Sequence, residues 1–139
     1  MTIPKKEKTM TTSNNDTQRD SIIDELIWYS DNNPTAQFHI TFPEGDSYIC
    51  NESTGDEDDN GDEYEVGEEG YEDWPALDFF NIVQIVKDGP NRGQCDNGIA
   101  ISRRHMPSEV TSDGHLLYSA EKGLFLNHGR ILATPRTDI

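Results

Sequence analysis

The sequence predicts an α+β fold: one N-terminal helix packed on an antiparallel sheet of about five to seven short strands, with a long acidic loop. Three observations lead there. One segment carries a helical apolar stripe with no competing strand signal, at Ile22, Ile23, Leu26 and Ile27. Several short β-branched or alternating runs are separated by Gly, Asn, Asp and Pro turn signals. Between two of those runs lies an acid-rich stretch with few apolar residues.

Taken in chain order, residues 1–16 are polar, with Lys5, Lys6 and Lys8 before a Thr/Ser/Asn-rich stretch, and read as a disordered tail. Residues 17–139 then form a single domain. A helix is expected from Thr17 to Tyr29, capped by Thr17 or Asp20, with acids in its N-terminal half and Asn32-Asn33-Pro34 ending it. Ala36–Phe42 alternates apolar and polar residues, which puts His39 on the solvent side of a strand. Pro43–Asp46 is a turn and Ser47–Cys50 a returning strand. Residues 51–73 are the acidic loop. Residues 74–86 carry mixed signals. Pro75 and the spacing Ala76, Phe79, Phe80, Val83 favour a helix, whereas Ile82, Val83, Ile85 and Val86 favour a strand, and a strand over Phe80–Lys87 is the reading adopted. A Gly/Pro loop over 88–97 leads to strands at 98–102, 115–118, 123–126 and 130–134, the last two joined at Asn127-His128-Gly129.

Charge is the strongest signal. The chain of 139 residues carries a net charge of −16, and 32% of its residues are hydrophobic. Residues 20–86 hold 19 acids and no base, whereas the flanks carry +2 and +1. The densest run, Glu52–Asp73, has 12 acids in 22 residues, and ten of the twelve aromatic residues fall within 20–86. A surface of this sign does not bind nucleic acid by neutralising phosphates. No run approaches the ~18 apolar residues of a membrane span, and no apolar segment resembles a secretory leader, so a cytoplasmic protein is expected. Cys50 and Cys95 then read as free thiols.

Three chemistries compete. Asp56-x-Asp58-x-Asn60-Gly61 matches the first half of a calcium-binding EF-hand loop. Its twelfth position is Gly67, with Glu68 and Glu69 arriving late, so a calcium module is the alternative reading and no cofactor is expected. His105, His115 and His128 with Arg103, Arg104 and Arg130 could form a small His-dependent nuclease, but a −16 molecule repels a polyanion. Arg103 and Arg104 have the simpler task of pairing with the chain's own acids.

The favoured expectation is non-enzymatic. Asp56, Asp58, Asp59, Asp62, Glu63, Glu65, Glu68, Glu69, Glu72 and Asp73, with Tyr64, Tyr71 and Trp74 as anchors, would bind a basic, nucleic-acid-handling protein such as a nuclease. Carboxylates standing where phosphates would stand are the logic of nucleic-acid-mimic inhibitors, in phage counter-defence or toxin immunity.

Overall fold

The computed structural model describes residues 14–93 and 98–137. The expected tail therefore lies mostly outside the described residues, as does Cys95. Helix α1 spans Asn14–Asn32. Residues 14–16 thus belong to the helix and not to the tail. The stripe at Ile22, Ile23, Leu26 and Tyr29 is buried, which is the i, i+4, i+7 face a helix presents to a core.

Among the described residues nine strands follow: β1 (Phe38–Thr41), β2 (Ser47–Asp59), β3 (Asp73–Lys87), β4 (Ile99–Ser102), β5 (Glu109–Ser112), β6 (His115–Ser119), β7 (Gly123–Leu124), β8 (Leu126–Asn127) and β9 (Arg130–Ile131). The first seven form one antiparallel sheet in the order β4-β3-β2-β1-β5-β6-β7, and β8 pairs with β9. The fold is thus α+β as the sequence predicts, with one helix on a curled antiparallel sheet. Strand β5 was absent from the expected set. Its Glu109-Val110-Thr111-Ser112 offers one apolar residue, which is too little pattern to see in sequence. The expected strand at 123–126 is split into β7 and β8, and that at 130–134 shrinks to two residues.

The largest departure concerns the acidic block. The returning strand does not stop at Cys50 but continues to Asp59, and β3 begins at Asp73, not Phe80. Twelve register partners join the two, from Ser47↔Lys87 to Asp59↔Asp73. Residues 51–59 are therefore strand, and the loop proper is 60–72. Pairing explains this better than propensity. Asp56, Glu57 and Asp58 stand opposite Ala76, Pro75 and Trp74, so acid meets acid only at Asp59↔Asp73.

The core lies between α1 and the sheet. Phe38 packs edge-on against Phe79 at 5.1 Å between centroids and against Tyr29 at 5.9 Å. Cys50 is buried there as a free thiol, and burial pushes its pKa up to about 12. Helix and acidic ribbon touch closely at Gly55, where a Cβ would sit 2.9 Å from the Ile27 side chain. His39 lies on the face of β1 opposite the buried Phe38 and Ile40, as expected, and is half-buried there, with its Nε2 2.6 Å from Ser47 Oγ across the β1–β2 hairpin.

The C-terminal segment is held by one buried carboxylate. Glu25 on α1 is 2% exposed, accepts from the amides of His128 (3.0 Å) and Gly129 (2.7 Å), and pairs with Arg136. His128 and Gly129 form the expected β8–β9 turn, with positive φ at both. Glu25→Ala removes the acceptor of two amides and the carboxylate that pairs with Arg136, and should cost about 3 kcal/mol in urea unfolding. Loss below about 1 kcal/mol would show that this carboxylate does not hold the C-terminal segment.

Candidate acidic interface

Asn60 organises the tip of the β2–β3 ribbon. It is 7% exposed despite its acidic neighbours, and its side chain spans the loop. Asn60 Nδ2 donates to the Gly70 carbonyl at 2.9 Å, and Asn60 Oδ1 accepts from the Glu72 amide at 2.9 Å. Its backbone carbonyl accepts from Glu63 and Tyr64. Beside it, Asp59 accepts from the Gly61 amide at 2.9 Å and from Tyr71 Oη at 2.8 Å. The Gly61 amide and then the Tyr71 hydroxyl hold the Asp59 pKa below its ordinary value, and the same carboxylate pushes Tyr71 up to about 12. The tip is thus tied to its own backbone, as native loops of this length must be to hold one shape.

Its root is held by cations. Arg103, with a side chain 7% exposed, grips Asp20 of α1 with two nitrogens, reaches Glu72 at 3.1 Å, and lies 3.8 Å from Asp16. Asp20 leads the interactions that raise the Arg103 pKa above its ordinary value. The Arg103 and Arg104 guanidinium carbons lie 4.6 and 4.5 Å from the Trp74 ring centroid. Arg103 therefore pairs with the chain's own acids, as the sequence suggests, while Arg104 stacks.

The predicted site residues consequently divide. Asp56, Asp58, Asp62, Glu63, Glu65, Glu68, Glu69 and Asp73 are exposed. Asp59 and Glu72 are half-buried and carry the internal bonds just described. Trp74 is 3% exposed and offers no face to a partner, which corrects its assignment as a free anchor. Its Nε1 is buried without a hydrogen-bond partner among the described residues. Tyr71 is half-buried and spent on Asp59. Tyr64 lines a cavity of about 680 Å³ with Arg104 and His105 beneath the tip.

Two residues on this ribbon were missed in sequence. Glu57 is exposed between Asp56 and Asp58. Asp78, on β3, joins Asp56 and Asp58 in lining another cavity. Burial first, then a hydrogen bond with Asp56, lift its pKa to about 6. Cross-strand register brings these carboxyls together, and no linear spacing reveals it.

The calcium motif does not adopt an EF-hand loop. Asp56 and Asp58 lie in a strand, and the Asn60 amide is consumed by the turn. Among the described residues, no three His, Cys, Asp or Glu side chains are grouped to hold a metal ion. His105 lines the cavity beneath the tip, His128 sits in the β8–β9 turn and His115 opens β6, so they share no site. No helix among the described residues is long and apolar enough to cross a membrane. Neither a family model, nor a curated protein, nor a solved structure matches the chain.

The raised Asp78 pKa gives a pH signature. The folded state holds this proton more tightly than the unfolded chain, so its stability contribution is present below pH 4 and is lost as pH rises through about 6. Asp78→Asn donates to Asp56 without a charge. Its melting temperature should exceed the parent's at pH 7, and the gap should close by about pH 4. A variant less stable at pH 7 would contradict the assignment.

Proposed function

We propose that the protein is a non-enzymatic acidic inhibitor that binds a basic, nucleic-acid-handling protein and covers its nucleic-acid face. The observation that carries this reading is that ten exposed carboxylates between Glu52 and Asp73, a stretch with no base, stand on the outer strands and tip of a hydrogen-bonded hairpin. A paired ribbon spends little ordering entropy on binding, whereas a mobile acidic loop would lose much of its electrostatic gain to it. Carboxylates projecting from both strands and the tip also give an extended negative surface, which steers a basic partner and fixes its register. A nuclease of phage-defence or toxin type would be such a partner.

The test is competition. A basic nucleic-acid-binding protein captured at low salt should release its nucleic acid when the chain is added. Affinity should fall about tenfold or more between about 50 and 300 mM salt. The charge-reversed quadruple variant Asp58→Lys, Asp62→Lys, Glu63→Lys and Glu65→Lys should lose binding. Asp59 is spared because its carboxylate holds the turn. Unchanged affinity in a folded quadruple variant would refute the reading.

A further inference from the structure

With Trp74 buried, the exposed tryptophan is Trp28, on α1. The residue is 44% exposed, and its ring stacks on His128 at 6.2 Å between centroids with an interplanar angle of 22°. Trp28, Asp31, Asn32 and His128 enclose a notch of about 240 Å³ at the C-terminal end of α1. That end carries the negative pole of the helix, where a cation is favoured and an acid disfavoured. This helix does the reverse: its last turn holds Asp31 and no basic residue. Asp24 lies one turn before Trp28, adding a second carboxylate on the same side of the helix.

From this geometry we infer that the notch receives a single guanidinium or ammonium group, from an arginine or lysine of the basic partner. The open face of Trp28 supplies the π surface, Asp31 the carboxylate, and the helix pole a further negative potential. An apolar partner side chain fits poorly, because two of the four lining residues are Asp31 and Asn32. The inference deepens the proposed function and rests on its basic partner. It gives that partner a second point of attachment, on the helix rather than the ribbon.

The chain has two tryptophans, so their indole N–H resonances report separately on Trp28 and Trp74. The full chain is titrated with N-acetyl-arginine amide and, in parallel, with the uncharged citrulline analogue. The Trp28 signal should shift and saturate in the millimolar range with arginine, as expected for a solvent-exposed cation–π contact, and stay still with citrulline. Asp31→Asn, at an exposed position, should raise the half-saturation concentration about fivefold or more. The charge-reversed ribbon variant should still bind the probe, so failure of the notch and failure of the ribbon reading are told apart. No saturable shift up to about 100 mM, or equal shifts with citrulline or in Asp31→Asn, would overturn the inference.

Discussion

One arginine decides whether the acidic ribbon belongs to the fold. Residues 20–86 contain 19 acids and no base, so any compact arrangement of them must draw its counter-charge from elsewhere in the chain. Arg103 provides much of it at a place where three segments meet. It binds Asp20 of the helix, Glu72 at the base of the ribbon's tip and the face of Trp74, with a side chain only 7% exposed. Arg104 covers the same ring from nearby. The near-neutral C-terminal half is thus the electrostatic support for the acidic half, and the sharp split in charge along the chain is resolved in three dimensions.

Much of this architecture is written in the sequence, and the exceptions share a cause. The helix and β1 have complete local patterns, and the β8–β9 turn has its left-handed residues at His128 and Gly129. The outer half of β2 has no pattern at all: Glu52 to Asp59 contains no apolar residue, so no period of two can register. What makes it a strand is Asp73–Phe79, some twenty residues away, which sets apolar groups opposite the acids. The ambiguity over 74–86 has the same root, since a local window cannot see that β2 and β4 flank Ala76–Phe79.

The aromatic residues show the same lesson at the level of the site. Trp74 sits in the acidic run and reads as an anchor, but its cations come from positions 103 and 104 and turn it inward. Trp28 reads as one more helix residue, and only the turn at His128 and Gly129 shows that it is exposed and stacked. That turn closes on the helix itself: a Cβ at Gly129 would lie 2.8 Å from the Trp28 backbone carbon. The proposed binding surface therefore combines carboxylates legible in sequence with an aromatic that is not.

The proposed binding mode depends on the ribbon being rigid, since an ordered array of carboxylates and a mobile acidic tail would meet a basic partner differently. Backbone ¹⁵N relaxation across residues 52–73 of the free protein tests this directly. A rigid ribbon gives order parameters of about 0.85 through the paired residues and only modestly lower ones at the tip; values below about 0.6 across 52–59 would contradict it.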